Sequence, residues 1–153
     1  MIRLAERKDY QALQELLLEI SQVHHELRPD LFKPASVKFE MEDLEELLKN
    51  SESPIFVYER DGRILGHLFL RFKVSENRVR HPKKSLYIED LCVAKEARHQ
   101  GIGQELLQFA EAFGRKHQAF NITLNVWHAN QIAYRFYDKA DFKPQQTQME
   151  KIL

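Results

Sequence analysis

The pattern of apolar and polar positions predicts strands and helices that alternate along the chain. The segment MIRLA at residues 1–5 predicts a first strand. Two amphipathic segments follow it, and the prolines of RPDLFKPAS at residues 28–36 separate them. Their apolar residues recur at helical spacing, namely Leu13, Leu16, Leu17, Ile20, Val23 and Leu27, then Met41, Leu44, Leu47 and Leu48. We therefore expect two helices between the first strand and the second.

The middle of the chain predicts three more strands. The apolar runs IFVYE and ILGHLFLRFKV flank Asp61 and Gly62, and an Asp-Gly pair between such runs predicts an antiparallel hairpin. The segment SENRVRHPKK that follows predicts a basic loop, with its cationic part at residues 78–84. After it, SLYIEDLCV at residues 85–93 has apolar residues on both alternating faces, as a central strand requires.

The last third of the chain predicts a helix, a strand, a helix and a strand. The helix begins in the turn RHQGIG at residues 98–103, and FNITLNVW is the next strand. The segment NQIAYRFYDKA predicts a short helix with Asn130 as its N-cap, and QTQMEKIL at residues 146–153 predicts a last strand. The order βααββ followed by βαβαβ indicates an α/β fold with a mixed sheet.

Composition and charge narrow the class of protein. The 153 residues are 43% hydrophobic and 30% charged, which fits one domain over residues 1–153. Lys and Arg number 23 against 23 Asp and Glu, so the charge balance predicts no nucleic-acid partner. The single Cys92 excludes an intramolecular disulfide. No apolar run approaches the roughly 18 residues of a membrane span, and the first ten residues are not a signal peptide, so we expect a cytoplasmic protein.

The turn RHQGIG is the first candidate for a binding site. A glycine turn between a strand and a helix collects unpaired backbone N–H groups at the positive end of a helix dipole, which suits phosphate oxygens. Gly101 and Gly103 let an anion approach closely, and Arg98 adds a charged donor. Leu106 stands where a dinucleotide-binding turn has its third glycine. Taken alone, a turn with two glycines is equally a simple connection.

Three segments together resemble one family. RHQGIG is similar to the Q/R-x-x-G-x-G/A pyrophosphate motif of the GNAT superfamily of acyl-CoA-dependent N-acetyltransferases. SLYIEDLCV resembles the fourth strand of that family, and the stretch from Asn130 to Tyr137 resembles its N-x-x-A-x-x-F-Y helix. The resemblance covers residues 1–153 and is most specific over 86–142. It implies a mixed sheet of six to seven strands flanked by helices and splayed between strands four and five.

The resemblance also implies a cofactor and the residues that bind it. The pyrophosphate of acetyl-CoA would lie on the turn, and the pantetheine arm would pair with the backbone of residues 91–93. The cofactor-binding residues are then Leu91, Cys92, Val93, Arg98, His99, Gln100, Gly101, Ile102, Gly103, Gln104, Asn130 and Tyr137. His99 and Asp141 stand where family members often have glycine; Asp tolerates the left-handed conformation that ends a helix.

Acetyl transfer to an amine requires two proton transfers. A primary amine with a pKa of about 10.4 must lose a proton before it attacks a thioester. Glu89 is the candidate base by resemblance, directly or through water, and Tyr137 the candidate donor to the departing thiolate. Asp90, which faces the opposite side of an ideal strand, either holds a cationic substrate or, like Glu89, pairs with a nearby Lys or Arg. Tyr137 is otherwise a core aromatic residue, and Cys92 a small buried residue rather than a nucleophile.

These residues predict an N-acetyltransferase that acts on a primary amine of a small molecule or peptide by direct attack in a ternary complex. The alternative is a non-catalytic acyl-CoA-binding module of the same fold. Nucleic-acid binding through residues 78–84 is a weaker third possibility. No metal is expected, because the adjacent His24 and His25 point about 100° apart on a helix and form no H-E-x-x-H pattern. The resemblance further suggests a homodimer through the carboxyl-terminal strand region.

Overall fold

A computed structural model describes residues 1–36 and 38–153, and these form one mixed sheet with helices on both faces. The strands are β1 (Ile2–Leu4), β2 (Ile55–Arg60), β3 (Arg63–Asn77), β4 (Arg80–Val93) and β5 (Asn121–Leu124). The helices are α1 (Tyr10–Leu27), α2 (Met41–Leu48), α3 (Ile102–Lys116) and α4 (Gln131–Lys139), with 3₁₀ turns at Arg7–Asp9 and Lys95–Ala97. In space the strands follow the order β1-β2-β3-β4-β5. All neighbouring pairs are antiparallel except β4 with β5, which is parallel.

The two faces of the sheet carry separate apolar clusters. On β2, Phe56 packs in a cluster with Leu106 of α3, and Val57 packs in the other cluster with Leu13 of α1. Successive side chains of a strand point to opposite faces, so the run IFVY supplies both layers at once. The α/β class that the sequence predicts is confirmed.

The hairpin between β2 and β3 has the geometry that its sequence predicts. Asp61 and Gly62 both have positive φ, 52° and 72°, which is the backbone of a two-residue hairpin turn whose twist matches that of the strands.

The predicted basic loop is wrong, because β3 and β4 continue as a two-stranded ribbon. Their pairing runs out to Asn77 opposite Arg80, and a register shift accommodates Pro82, which has no N–H to donate. The cations fit a strand because they lie along aromatic rings at the surface. The Lys83 Nζ lies 4.3 Å from the ring centroid of Phe120, and the Lys84 Nζ lies 4.3 Å from that of Phe72.

The predicted last strand is also wrong, and with it the expected six to seven strands. Residues 143–153 form neither helix nor strand, and the sheet built by the described residues has five strands. Met149 and Ile152, which supply the apolar pattern of that segment, are 88% and 74% exposed. An apolar pattern makes a strand only where a neighbouring edge and a core receive it. Of the helices in the described ranges, none has both the length and the apolar character that a bilayer crossing requires.

Candidate functional site

The turn before α3 presents a row of free backbone donors. Gly101 is the N-cap of α3 with a φ of 83°, and His99 before it has a φ of 61°. The N–H of Glu105 donates to the Gly101 carbonyl at 3.0 Å. Within the described part of the chain, the N–H groups of residues 101–104 donate to no backbone or side-chain acceptor. Free donors at the positive end of a 15-residue helix are an arrangement that suits an anion.

Side chains of the turn brace it against the rest of the molecule. The Arg98 Nε donates to the Val93 carbonyl at 3.1 Å, and its Nη2 lies 3.4 Å from a carboxylate oxygen of Glu19 on α1. The Gln100 side chain accepts from Arg60 at 2.6 Å. Two of the three guanidinium nitrogens of Arg98 are therefore engaged with the rest of the chain. The His99 side chain is exposed to solvent.

The two glycines of the turn have different roles. Gly101 has open space around its Cβ position but needs its left-handed backbone. A Cβ on Gly103 would lie 3.2 Å from the ring of Phe136, so this glycine lets α3 and α4 pack closely. The sequence predicts only that Gly103 lets an anion approach and does not reveal its contact with Phe136. It also misses Gly66 on β3, where a Cβ would lie 2.9 Å from the Cys92 carbonyl.

Strand β4 continues past its neighbour β5. The parallel pairing covers residues 85–88 of β4 and ends at Ile88 opposite Leu124. On the other side, Phe69 pairs with Asp90 and Leu70 with Ile88, so Glu89 is the extra residue of a β-bulge. Bulges redirect side chains and often lie beside active sites. Residues 91–93, which we expect to bind pantetheine, follow this bulge in the open part of β4.

The bulge places the two adjacent carboxylates in different surroundings. Glu89 lies at the surface, and its Oε1 is 2.6 Å from the Nη2 of Arg71. Asp90 has a side chain only 11% exposed, and its Oδ2 lies 3.2 Å from the Nε2 of His67. Burial by itself raises the pKa of Asp90, but the hydrogen bond with His67 and nearby cationic groups lower it below its usual value. Glu89 thus has an arginine partner, as the alternative of a structural ion pair expects, whereas the partner of Asp90 is a histidine and not a lysine or arginine.

His67, the hydrogen-bond partner of Asp90, is not predicted from the sequence. It lies in the apolar run ILGHLFL of β3, and its ring is fully buried. The signal available in the sequence is this single polar residue inside an otherwise apolar strand, because a buried polar group requires a partner.

Tyr137 and Cys92 are both protonated at neutral pH. Burial raises the pKa of the Tyr137 phenol well above its usual value, and the charges of Asp90 and Cys92 raise it further. Burial likewise raises the pKa of the Cys92 thiol to about 12, with the charge of Asp90 adding to it. The Cys92 Sγ lies 3.6 Å from the Leu16 carbonyl. A protonated, buried thiol supports the interpretation of Cys92 as a packing residue.

Helix α4 has the ends that its sequence predicts. The Asn130 Oδ1 accepts from the Ala133 N–H at 3.1 Å, which confirms Asn130 as the N-cap. Asp141 has a φ of 64°, which confirms that aspartate tolerates the left-handed position after this helix. The ring of Tyr137 packs edge-on against Phe136 and Phe142.

A row of aromatic rings joins the end of α1 to the segment after β5. The rings of His24 and Phe32 lie 5.0 Å apart, and Phe32 meets Trp127 edge-on at 5.5 Å. Arg28 lies over Trp127 and forms an ion pair with Glu150 at 2.6 Å. Burial lowers the pKa of His24. The row thus connects the end of α1, the segment after β5 and the carboxyl-terminal segment, contacts that the sequence does not predict.

The model of the acetyltransferase (GNAT) family matches residues 20–142 of the chain. The chain belongs to this family. GNAT membership agrees with the turn before α3, the bulge in β4 and the capped helix α4, which occupy the matched region.

Two curated relatives carry acetyltransferase names. An uncharacterised N-acetyltransferase in the pepI 3′ region of Lactobacillus delbrueckii subsp. lactis is 35% identical over 77 residues, which are 50% of this chain and 44% of that protein. The chloroplastic GCN5-related N-acetyltransferase 6 of Arabidopsis thaliana is 40% identical over 57 residues, 37% of this chain and 20% of that protein. The matched region thus spans less than half the length of either relative.

Solved structures share the GNAT fold over the whole chain. A mutant of the BH1408 protein from Bacillus halodurans is 24% identical with a TM-score of 0.95, covering 100% of this chain and 99% of that one. The aminoglycoside N-acetyltransferase AAC(6')-Iy in complex with CoA is 13% identical with a TM-score of 0.75, covering 100% and 98%. A transcriptional regulator from Bacillus halodurans C-125 is 20% identical with a TM-score of 0.78, covering 100% and 99%. At these identities the likeness concerns the fold alone.

Proposed function

We propose that this GNAT protein is an N-acetyltransferase that transfers an acetyl group from acetyl-CoA to a primary amine of a small molecule or peptide. Residues 1–153 act as one catalytic domain, and the amine attacks directly in a ternary complex. The observation that carries the proposal is the row of free N–H groups at residues 101–104 next to the open part of β4. These two features together provide a phosphate site and a strand edge in one place.

The cofactor-binding role belongs mainly to the backbone. The N–H groups of residues 101–104 bind the pyrophosphate, and residues 91–93 pair with the pantetheine arm as an added strand does. Arg98 is held by Val93 and Glu19 before the cofactor arrives. His99, Gln100 and Asn130 complete the proposed cofactor-binding set. Acetyl-CoA, when bound, supplies the activated acetyl group as a thioester.

Two side chains handle the protons. Glu89 accepts the proton of the attacking ammonium group, directly or through water, and its surface position keeps it in contact with solvent. Tyr137 donates its phenolic proton to the departing thiolate sulfur as the tetrahedral intermediate collapses. The raised pKa of Tyr137 keeps the phenol protonated at neutral pH, so its O–H can donate a hydrogen bond to the sulfur. Asp90 holds the cationic acceptor.

We further propose that two copies of the chain form a homodimer through the carboxyl-terminal region. Apolar side chains that remain exposed there support this arrangement, since Phe120 is 64% exposed and Ile132 is 84% exposed. Strand β5 pairs only with β4 among the described residues, so its outer edge is open to a strand of a second copy.

The test is the release of coenzyme A from acetyl-CoA over a panel of amines and peptides. Free thiol is measured against a blank that contains the protein alone, because Cys92 also carries a thiol. Turnover that depends on one class of acceptor supports the enzyme. Tight binding of acetyl-CoA without turnover on any acceptor would contradict it and favour the non-catalytic binding module.

A further inference from the structure

Asp90 is a buried carboxylate whose hydrogen-bond partner is a histidine. Its side chain is 11% exposed, and among residues 1–36 and 38–153 its only side-chain hydrogen-bond partner is His67. The adjacent Glu89 differs, because it forms an ion pair with Arg71 at 2.6 Å. An ionised carboxylate that leaves water needs a compensating charge or several donors. In the described part of the chain, His67 is the one side chain that hydrogen-bonds to the Asp90 carboxylate, and Lys38 and His24 act on it only through their charge.

The other nitrogen of His67 has no partner. The ring is fully buried and packs edge-on against Phe69 at 4.9 Å. Its Nδ1 has no hydrogen-bond partner in the described part of the chain. A protonated ring would bury both a charge and an unpaired N–H at Nδ1. A neutral ring with its hydrogen on Nε2 donates to Asp90 and leaves only a lone pair at Nδ1. Burying this lone pair costs less free energy than burying a charge and an unpaired N–H.

Asp90 lies in the open part of β4, beside the residues to which the proposed function assigns the pantetheine arm. It is two residues beyond Ile88, the last residue of β4 that pairs with β5, and one residue before the stretch expected to bind pantetheine. The titratable and charged groups facing the His67–Asp90 pair are His24 of α1, Lys38, Cys92 of β4 and Tyr137 of α4. The electrostatic coupling of Asp90 to Tyr137 agrees with a position beside the reacting atoms.

We infer that neutral His67 holds Asp90 as an ionised carboxylate that binds the ammonium form of the acceptor amine, His67 being a positioning residue. This inference rests on the proposed acetyl transfer and names its acceptor class, a cationic amine without a carboxylate beside it. An α-amino acid brings its own carboxylate next to Asp90, and like charges in a buried site repel each other.

Two variants separate positioning from simple packing. His67→Leu keeps the volume and removes the hydrogen bond, whereas His67→Gln keeps a donor and cannot become charged. For His67→Leu we expect the KM for an alkylamine to rise about tenfold, the effect of one lost hydrogen bond to a charged group, with the KM for acetyl-CoA unchanged. For His67→Gln we expect a KM for the alkylamine close to that of the wild type, because glutamine keeps a donor for Asp90. Thermal melting checks that both variants fold.

The results separate this inference from the proposed function. If the wild type turns over amines and His67→Leu changes neither KM, or changes both equally, the inference is wrong and the acetyltransferase stands. If α-amino acids are acetylated as well as alkylamines, the assigned acceptor class is wrong.

A binding measurement tests the inference without turnover. Methylamine hydrochloride is titrated into ¹⁵N-histidine-labelled protein while the imidazole resonances are followed by NMR. We expect His67 to be neutral with its hydrogen on Nε2, and its resonances to shift with methylamine in the wild type but not in Asp90→Asn. A doubly protonated His67 ring at neutral pH, or resonances that methylamine does not move, would overturn the inference.

Discussion

Residues 1–114 and residues 115–153 are stabilised in different ways. Every buried residue lies in the first region, where both faces of the sheet are covered by helices. In the second region, all of which the structure describes, no residue from Arg115 to Leu153 is buried. Yet this region contains β5, the N-cap Asn130 and the proposed donor Tyr137. The first region therefore folds around a core, whereas side chains of the second region, such as Ile122, Leu124 and Phe136, are only partly buried where they pack against that core.

A matched pair of truncations gives the largest expected difference between the regions. Leu106 of α3 is fully buried and Ile132 of α4 is 84% exposed. Leu106→Ala should lower the free energy of unfolding by about 2–5 kcal/mol, through lost burial and the cavity left behind. Ile132→Ala should change it by less than about 0.5 kcal/mol. Chemical denaturation at low protein concentration measures both. Similar losses in the two variants would remove the distinction between the regions.

Tyr137→Phe tests whether the lightly packed region acts in the chemistry. We expect kcat to fall about 10²-fold, because the departing thiolate loses its proton donor, while the affinity for acetyl-CoA stays nearly unchanged. Tyr134→Phe is the control, since Tyr134 lies on the same helix with its side chain partly exposed. Equal loss in the two variants would assign the effect to helix α4 as a whole.

Deletion of residues 144–153 tests whether the carboxyl-terminal region binds a second copy of the chain. The full chain should behave as a dimer in light scattering and the shortened chain as a monomer, because the deletion removes the apolar segment with Met149 and Ile152. The free energy of unfolding of the monomer should change by less than about 1 kcal/mol, since the segment is exposed. Glu150→Gln, which removes only the charge paired with Arg28, is the control. A full chain that is already monomeric contradicts the dimer.

Cys92 gives the smallest expected signal and belongs to the packed region. Burial raises the pKa of its thiol to about 12, so at pH 8 only about one thiol in 10⁴ is ionised. A thiol reagent should react with the native protein much more slowly than with the denatured chain. The native rate should rise with pH, because the thiolate is the reacting form. Rapid labelling of the native protein at pH 8 would place Cys92 outside the core.

The sequence predicts what is set locally and misses what distant residues decide. Asp61 and Gly62 form the hairpin, Asn130 caps α4, and Asp141 takes the left-handed position, because each feature depends on a few neighbouring residues. The pairing of His67 with Asp90 joins residues 23 positions apart across two strands, and no local pattern contains it. Glycine is likewise required at position 66 because a Cβ there would collide with the carbonyl of Cys92 on the neighbouring strand.

The two wrong elements have one cause. The ribbon replaces the predicted basic loop because β3 and β4 continue to pair with each other past the end of the other strands. The last strand is absent from the sheet of a single chain because no edge or core receives it. In both cases the neighbour, rather than the local pattern, decides whether a strand forms. The bulge at Glu89, which gives two adjacent carboxylates different surroundings, is also fixed by pairing with β3.

Hydrogen exchange with and without coenzyme A is the most direct test of the central claim, that the turn before α3 binds the cofactor. The backbone N–H groups of residues 101–104 lack acceptors in the described chain and should exchange rapidly in the free protein. Coenzyme A should slow their exchange strongly, and should protect residues 91–93 as the strand edge is filled. The amides around Leu106 should change little. Binding of coenzyme A that leaves residues 101–104 unprotected would contradict the account.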